Sequence, residues 1–395
     1  MKKAADAVVI GGGIIGASVG HFLAKLGYGD VVLLEKRRLA GGSTRYSAAL
    51  VRQHYTNEVA IRLARRAAAM FADAETELGG EVGFVRDGYL VLASREGAAA
   101  IREVVPFQQE LGVDTSILKP DHVADRWPEL DLDGVELACY EETSGYADPL
   151  RTVEALARSG VGFGLDVREG CEVLGVEVGG GRVTGVHTSE GPIATEVVVN
   201  ATGPWGNSVG AMVGVEYPLT WSREHEAIFH APDGFRGLPV VSDSTQQLYF
   251  RSFGRGKVLV GAGWPKQPEP ADPETYDDGT DDEHIGDMVP KLARRVPALA
   301  GLDAPNWGGA LVTGYSGVYD ITEDWYPIVG AEEVGGYYSA FGGSGHCFKL
   351  GPTIGESLAH VICGSEPPID ISSLVGRRFA EGRAFTSVWG AGNRA

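Results

Sequence analysis

The chain has 395 residues, 44% of them hydrophobic and 22% charged, which is the composition of a globular protein with more than one structural unit. Its 34 Lys and Arg against 53 Asp and Glu give a formal net charge of −19, which disfavours general binding to nucleic acids or anionic membranes. Because the N-terminus lacks a secretory signal and no apolar run is long enough to span a membrane, we expect a cytoplasmic protein. Its four cysteines are scattered and form no CxxC pair, so no metal site is predicted.

The first predicted elements are a strand, a glycine turn, a helix and a second strand. The apolar run Ala7–Ile10 predicts a buried parallel strand. The turn GGGIIG follows and fits the pattern G-x-G-x-x-G, and apolar residues then recur at helical spacing until Gly27 and Gly29. A second apolar run, residues 31–34, ends in Glu35.

This arrangement is typical of a site that binds an adenine dinucleotide. Gly11 would make the tight turn, Gly13 would let the backbone approach a pyrophosphate, and Gly16 would allow close packing of the helix. The helix N-terminus offers N–H groups to the phosphate charge, and Glu35 can accept a hydrogen bond from a ribose hydroxyl.

The residues after Glu35 leave the choice of dinucleotide open. The basic run KRR could favour the 2′-phosphate of an NADP-dependent reductase, whereas Glu35 would repel that phosphate. Ser43 and Thr44, in the segment "LAGGSTRYSAALVRQHY", could reach a second phosphate with their hydroxyl groups.

Later segments predict further β structure. Three strand-like runs separated by glycine-rich turns, between residues 170 and 195, indicate a β-meander, and a buried strand follows at residues 197–200. Aromatic, glycine-punctuated segments between residues 217 and 322 predict an antiparallel sheet in a second domain. The acidic, proline-rich residues 265–284 predict a solvated surface loop.

Several of these stretches resemble the FAD enzymes of the D-amino-acid-oxidase superfamily. The start, "VVIGGGIIGASVGHFLAKLGYGDVVLLEKRRLAGGST", is similar to theirs. The segments "EETSGYADP", "EVVVNATGPWG" and "YYSAFGGSGHCFKLGPTIGESLAHVI" resemble later family segments in the same order. Within the superfamily the chain most resembles sarcosine oxidase, of the monomeric and β-subunit types, and dimethylglycine dehydrogenase.

The resemblance implies an α/β (α+β) fold with two domains. A Rossmann-type FAD-binding domain with a β-meander inset would comprise residues 1–83, 146–218 and 326–395. A substrate domain built on an antiparallel sheet would comprise residues 84–145 and 219–325.

The resemblance also implies FAD as the cofactor, held without a covalent bond. Family members carry a flavin-linking histidine or cysteine at positions occupied here by Tyr46 and Gly317. The residues expected to bind FAD are Gly11, Gly13, Ile14, Ile15, Gly16, Glu35, Lys36, Ser43, Thr44, Val173, Thr202, Gly203, Trp205, Gly342, Gly343, Gly345, His346 and Lys349.

Four side chains are expected to serve the reaction. Arg52 and Lys349 match family positions that bind the substrate carboxylate, Tyr319 matches a tyrosine near the substrate, and His346 could shape the surroundings of the flavin ring. The side chains of His54, Tyr55, His225, Tyr249, Arg251 and Trp264 could also line the pocket.

The expected reaction is oxidation of a C–N bond in an amino acid or N-alkyl amino acid. A hydride would pass to flavin N5, and the resulting imine would be hydrolysed. The electron acceptor would be oxygen or another molecule. The choice stays open because Lys257 is out of register with the oxygen-activating lysine of monomeric sarcosine oxidase. The alternatives are FAD-dependent oxidation of a C–O bond in a hydroxy acid and service as the flavin-binding subunit of a hetero-oligomeric dehydrogenase. Assembly into a hetero- or homo-oligomer is left open.

The loop "FGGSGHCFKLGPTIG" precedes the last predicted helix. Pro352 suits the first turn of that helix and Gly364 suits its end. We expect the N-terminus of this helix to face the pyrimidine edge of the flavin, where its dipole would stabilise the negative charge of the reduced ring.

Overall fold

The computed structural model describes residues 3–235, 237–264 and 268–386. Residues 1–2 and 387–395 of the predicted FAD-binding domain therefore lie outside the described residues, as do residues 236 and 265–267 of the predicted substrate domain.

The strands, in chain order, are β1 (Ala7–Ile10), β2 (Val31–Glu35), β3 (Leu50–Val51), β4 (Tyr89–Ala93), β5 (Thr115–Leu118), β6 (Leu137–Glu141), β7 (Gly145–Tyr146), β8 (Asp166–Glu169), β9 (Val173–Gly179), β10 (Arg182–Thr188), β11 (Gly191–Ala194), β12 (Val198–Asn200), β13 (Thr220–His230), β14 (Val240–Asp243), β15 (Leu248–Ser252), β16 (Lys257–Ala262), β17 (Leu311–Ile321), β18 (Ile328–Ala331) and β19 (Tyr337–Phe341).

The helices are α1 (Ile14–Lys25), α2 (Glu58–Ala72), α3 (Ala74–Glu77), α4 (Arg95–Glu110), α5 (Pro120–Arg126), α6 (Pro149–Gly162), α7 (Gly206–Gly210), α8 (Asp282–Arg295) and α9 (Cys347–Ile362). Within the described part of the chain, none of them combines the length and the apolar character needed to cross a lipid bilayer.

The first sheet holds the predicted dinucleotide motif and has the order β18-β19-β12-β1-β2-β8. All of its neighbouring pairs are parallel except β18 with β19. The central strand β1 is buried along its whole length, as its continuous apolar run predicted. The meander β9–β11 forms a separate antiparallel sheet, so both the Rossmann-type core and its inset are confirmed.

The second large sheet has the order β17-β13-β16-β15-β14-β4-β6-β5. Its strands come from residues 89–141 and 220–321, which fall inside the two segments predicted for the substrate domain. The domain limits themselves stay a prediction. The prediction of a wholly antiparallel sheet was wrong at one pair of strands, because β14 and β4 are parallel. These two strands come from different segments of the chain, so no hairpin joins them.

Helices α1 and α9 pack against each other at two glycines. A Cβ atom at Gly351 would lie 2.7 Å from Cγ1 of Ile14, and one at Gly355 would lie 2.4 Å from Cβ of Ser18. The spacing of four residues puts both glycines on one face of α9. The absence of side chains there lets the two helices approach more closely than any larger residue would permit.

Helix α9 begins earlier than predicted. Because it starts at Cys347, Pro352 lies in its second turn and not in its first. A proline at that position cannot donate a hydrogen bond to the carbonyl of Phe348. Gly364 has a φ angle of +70° and its N–H donates to the carbonyl of Val361 at 3.1 Å, so the predicted helix end is confirmed.

Residues 268–281, called the strap below, lie between β16 and α8 and carry most of the acidic stretch. The prediction of a surface loop is confirmed for residues 268–281, which lie outside the helices and strands and are exposed or partly exposed, but hydrogen bonds attach this loop to the rest of the protein. The Arg223 guanidinium donates to the carbonyl of Asp277 at 3.0 Å, and the hydroxyl of Tyr46 donates to the carboxylate of Asp278 at 2.5 Å. The strap is therefore fastened both to β13 and to the segment that follows β2.

Candidate active site

A cleft of ≈ 240 Å³ opens at the carboxyl ends of β1 and β2. The predicted cofactor residues that line it are Gly11, Gly13, Ile14, Ile15, Glu35, Lys36, Ser43, Thr44, Val173, Thr202, Gly203, Trp205 and Gly343. Ligands of open α/β sheets bind in this position.

The glycine turn fits a dinucleotide. Gly11 has a φ angle of +105°, which favours glycine, and a Cβ atom on Gly16 would lie only 1.8 Å from the carbonyl oxygen of Gly11. A Cβ atom on Gly13 would lie 3.2 Å from the Thr44 hydroxyl and would narrow the space where a pyrophosphate would approach. Gly16 therefore permits the close packing of α1 against the turn and does not itself line the cleft.

Glu35 is held in place for a ribose. One carboxylate oxygen accepts a hydrogen bond from the N–H of Gly12 at 2.7 Å, and the other accepts one from the N–H of Arg37 at 2.8 Å. Each carboxylate oxygen can accept a second bond, so the group can still receive a hydroxyl proton. The hydroxyl of Thr44 accepts from the N–H of Ile14 at 3.1 Å, which fixes the start of α1 beside the cleft.

The mouth of the cleft is covered by a contact with the strap. Lys36 Nζ lies 3.1 Å from a carboxylate oxygen of Glu274 and 4.4 Å from the ring centroid of Trp205. The indole N–H of Trp205 donates to the same Glu274 oxygen. Lys36 and Trp205 therefore form the rim of the cleft, and Glu274 is a rim residue that the sequence did not suggest.

The glycine loop before α9 divides between two cavities. Gly343 lines the cofactor cleft and Gly345 lines a second cavity. Gly342 lines neither of these two and packs on Thr322, since a Cβ atom there would lie 2.7 Å from Cγ2 of that threonine. Gly345 packs on the ring of Tyr319, where a Cβ atom would lie 2.3 Å from Cε2.

Asp320, which the sequence did not single out, fixes this loop. Its carboxylate accepts from the N–H of Gly342 at 2.7 Å, and its backbone carbonyl accepts from the N–H of Ser344 at 3.0 Å. Burial raises the pKa of Asp320 to about 6. A single acid in the apolar end of a strand is the signal that could have indicated it.

The second cavity has a volume of ≈ 680 Å³ and brings together the residues predicted for catalysis. Arg52, Tyr319, His346 and Lys349 all line it. His54, Tyr249 and Trp264, which the sequence could not rank, line it as well.

The side chains of Arg52 and Lys349 both lie near the aromatic ring of Tyr55. The Arg52 guanidinium is 4.3 Å from the Tyr55 ring centroid and Lys349 Nζ is 5.8 Å from it. Both cationic side chains are buried, with residue exposures of 6% and 5%. The Tyr55 hydroxyl in turn lies 3.1 Å from Nδ1 of His346. Two buried cations around one ring make this end of the cavity favourable for an anion.

The backbone that carries Arg52 is anchored to a buried carboxyl group, Glu141. One oxygen of Glu141 accepts from the N–H of Gln53 at 2.8 Å and from the hydroxyl of Ser144 at 2.6 Å. Its other oxygen has no hydrogen-bond partner within the described residues. Burial raises the pKa of Glu141 to about 7. Nothing in the "EET" run distinguishes Glu141 from the second acid, Glu142.

His54 is held in one neutral form. Its Nδ1 lies 3.1 Å from the side-chain nitrogen of Gln108, which also donates to the carbonyl of Tyr55 at 2.9 Å. Because that amide nitrogen can only donate, His54 Nδ1 accepts and the ring proton is on Nε2. Burial and the nearby Arg52 charge lower the pKa of His54 to about 3.

Tyr249 offers the cavity an oxygen atom that can accept. Its hydroxyl donates to a carboxylate oxygen of Glu226 at 2.6 Å, while Tyr315 donates to the other oxygen at 2.6 Å. With its proton turned away into the sheet, the Tyr249 oxygen keeps lone pairs for a donor in the cavity.

Glu141→Gln is expected to change how stability depends on pH. A carboxyl group with a pKa near 7 when folded and a usual pKa of 4.5 binds a proton more tightly in the folded state. Its contribution is therefore present below the unfolded pKa and is lost as the pH rises through the folded pKa, by about 3 kcal/mol in total.

The measurement is the free energy of unfolding in urea for both proteins at several pH values. The wild-type value should fall relative to the variant value from about pH 5 to about pH 8. A difference that stays constant over that interval would show that Glu141 does not carry the proton. Asp320 is present in both proteins, so its own titration cancels.

Comparison of the chain with known proteins identifies the family to which it belongs. Residues 6–361 match the family described as FAD dependent oxidoreductase, or DAO. Sarcosine dehydrogenase from mouse mitochondria is 30% identical over 396 residues, covering 96% of this chain and 42% of that protein. The formaldehyde-forming 4-methylaminobutanoate oxidase of Paenarthrobacter nicotinovorans is 29% identical over 386 residues, covering 94% of this chain and 45% of that protein. The chain thus spans less than half the length of these relatives.

A solved structure resembles the chain over nearly all of its length. The L-proline dehydrogenase from P. horikoshii matches with a TM-score of 0.88 at 29% identity, covering 98% of this chain and 100% of that one. Glycine oxidase from Bacillus cereus shares the fold, with a TM-score of 0.78 at 24% identity over 97% of this chain and 99% of that one. The chain therefore belongs to the DAO family of FAD-dependent oxidoreductases, and its cofactor is FAD.

Proposed function

We propose that this enzyme oxidises the C–N bond of an amino acid or N-alkyl amino acid. The observation that carries the proposal is the pair of buried cations, Arg52 and Lys349, which line one cavity around the ring of Tyr55. A buried guanidinium binds a carboxylate with two parallel hydrogen bonds, and Lys349 would add a third contact.

The names of the relatives support this substrate class. Sarcosine, 4-methylaminobutanoate and L-proline, on which the relatives named above act, each join a carboxylate to a secondary amine. A carboxylate held by Arg52 and Lys349 would leave the amine further along the cavity. There the amine N–H could donate a hydrogen bond to the Tyr249 oxygen.

The charges in the cavity favour an amine that is ready to react. Arg52 and Lys349 raise the electrostatic potential, which lowers the pKa of a bound ammonium and releases its proton. Arg52 and Lys349 are buried, which strengthens their interactions with a bound substrate. The FAD bound in the neighbouring cleft supplies the hydride acceptor.

The test is an anaerobic substrate panel on the purified holoenzyme. Amino acids, N-methyl amino acids, cyclic secondary amino acids and hydroxy acids are each added, and bleaching of the flavin absorbance is followed. Bleaching by the carboxylate amines and not by the hydroxy acids is expected. Bleaching by hydroxy acids alone would instead support oxidation of a C–O bond. Admitting oxygen to the reduced enzyme then shows whether oxygen is the acceptor.

The FAD is expected to be released when the protein is denatured. Tyr46 and Gly317, which stand at the two linkage positions, are neighbours, because a Cβ atom on Gly317 would lie 2.8 Å from Cβ of Tyr46. Tyr46 is committed to its hydrogen bond with Asp278, and a glycine offers no nucleophile. Burial raises the pKa of the Cys347 thiol, which keeps it protonated and unreactive although it lines the cleft. Flavin that stays with the polypeptide after denaturation and filtration would contradict this prediction.

A further inference from the structure

The two ends of the strap meet at a cluster of two histidines and a glutamate. His225 lies in β13, Glu269 in the strap and His284 in α8. One carboxylate oxygen of Glu269 lies 2.9 Å from Nε2 of His225 and 3.0 Å from Nε2 of His284. All three ligand atoms lie within 4.8 Å of one another. Sequence analysis named His225 only as a possible residue of the substrate pocket, which it does not line, and did not indicate the cluster, because its members come from different elements of the chain.

The surroundings hold two of these three groups, His225 and Glu269, in place. Nδ1 of His225 lies 2.9 Å from the hydroxyl of Thr280, which fixes the orientation of the ring. The Arg223 guanidinium lies 3.3 Å from the other oxygen of Glu269 and 2.8 Å from a carboxylate oxygen of Asp281. Bonds of this kind to the outer side of a ligand are what hold imidazole and carboxylate ligands in metal sites.

The charges of the cluster suit a dication. Glu269 and Asp281 carry two negative charges and Arg223 carries one positive charge, so the sum is negative when both imidazoles are neutral. His225 is buried in the sheet, whereas the His284 side chain is 37% exposed and can turn.

We propose that His225, Glu269 and His284 bind a divalent transition-metal ion of the zinc class. Zinc takes imidazole nitrogen and carboxylate oxygen at about 2.0–2.2 Å, which in a tetrahedral site puts neighbouring ligand atoms about 3.4 Å apart. The Glu269 oxygen needs to move away from the two nitrogens by about 0.4–0.5 Å to reach that spacing.

One rearrangement accompanies binding. The two imidazole rings are stacked, with centroids 3.6 Å apart and planes inclined by 14°. An ion in the plane of both rings requires one of them to turn. The exposed ring of His284 makes that turn, while the Thr280 contact keeps His225 in place. A water molecule or Asp281, whose oxygen lies 3.7 Å from Nδ1 of His284, completes the site.

The ion joins three separate segments of the chain. It connects β13 and the start of α8 through the strap, whose Glu274 covers the mouth of the FAD cleft. Metal binding therefore raises the stability of the holoenzyme and leaves the chemistry of the substrate cavity untouched.

The test is zinc binding to tag-free holoenzyme that has been treated with a chelator and dialysed. Calorimetric titration and metal analysis should give one zinc ion per chain, with a rise in Tm. Glu269→Gln and His284→Ala should each abolish stoichiometric binding. Mg²⁺ should give no effect, because imidazole is a poor ligand for it.

The matched control is His187→Ala. His187 lies 2.6 Å from Glu177 in an exposed histidine–glutamate pair that has no second histidine beside it among the described residues, so this variant should bind zinc as the wild type does. Wild-type protein that takes up no stoichiometric zinc would overturn the proposal, as would unchanged binding in either cluster variant. Flavin absorbance is recorded for every variant as a check on folding. The result does not depend on the substrate class, because no turnover is measured.

Discussion

Arg52→Ala is expected to raise the KM for a carboxylate substrate roughly 30- to 900-fold, which corresponds to a loss of about 2–4 kcal/mol. The guanidinium is buried against Tyr55, and its removal would eliminate both of the hydrogen bonds that we propose it donates to the carboxylate. Lys349→Ala should have an effect of the same direction, since its ammonium group borders the same ring. The measurements are steady-state kinetics and a spectral titration of the flavin with a carboxylate inhibitor.

Two comparisons separate binding from a general disturbance of the protein. Arg52→Lys keeps the charge but loses the planar fork, so its KM should fall between those of wild type and Arg52→Ala. Arg294 lies at the outer part of the cavity with a 64% exposed side chain, and Arg294→Ala should change KM by less than about threefold. A Lys349→Ala or Arg52→Ala enzyme that retains its affinity for carboxylates would refute the assigned anion site.

Gly16→Ala should yield a protein that contains little or no FAD. The new Cβ atom would lie 1.8 Å from the carbonyl oxygen of Gly11, a backbone atom that cannot move without moving the turn. Helix α1 and the glycine turn would separate, and the N–H groups at the start of the helix would no longer meet the pyrophosphate. The ratio of flavin to protein absorbance in the purified variant measures the effect.

Gly20→Ala is the matched control in the same helix. A Cβ atom there would lie 3.2 Å from the side chain of Leu165, which can adjust, and alanine has the higher helix propensity. This variant should keep its FAD. A Gly16→Ala protein with a full complement of flavin would show that the close approach of α1 to the turn is not required.

The local signals in the sequence predicted the cofactor half of the molecule well. The apolar runs predicted β1 and β2 to within one residue, the glycines predicted that α1 lies between them, and Gly364 predicted the end of α9. These elements are decided by residues close together in the chain, where strand burial, helix spacing and glycine conformation act directly.

What the sequence could not supply depends on residues far apart in the chain. Glu141 takes its place and its raised pKa from burial beside Gln53 and Ser144, and Glu226 takes its place from Tyr249 and Tyr315. The acidic composition of the strap predicts a solvated loop. It does not predict the hydrogen bonds that the strap makes with Arg223 on β13 and with Tyr46 after β2. The composition of a segment indicates its preference for solvent but does not identify its tertiary contacts.

The resemblance to a family reached the predicted anion-binding residues, which periodicity alone could not do. Arg52 would otherwise be taken for a surface arginine, and the structure places it at 6% exposure in the cavity that Lys349 lines. The roles of both residues stay predictions until the substitutions above are measured.

The glycine contact between α1 and α9 couples the structural effects of substitutions in the two helices. Helix α1 begins at the dinucleotide turn and α9 begins beside the second cavity, and Gly351 and Gly355 bring the two helices into direct backbone contact. A change in one helix therefore displaces the other along with the loop it carries. Substitutions at the two ends of the cofactor will have free-energy effects that do not add, and the size of the deviation will measure how rigidly these helices move as one body.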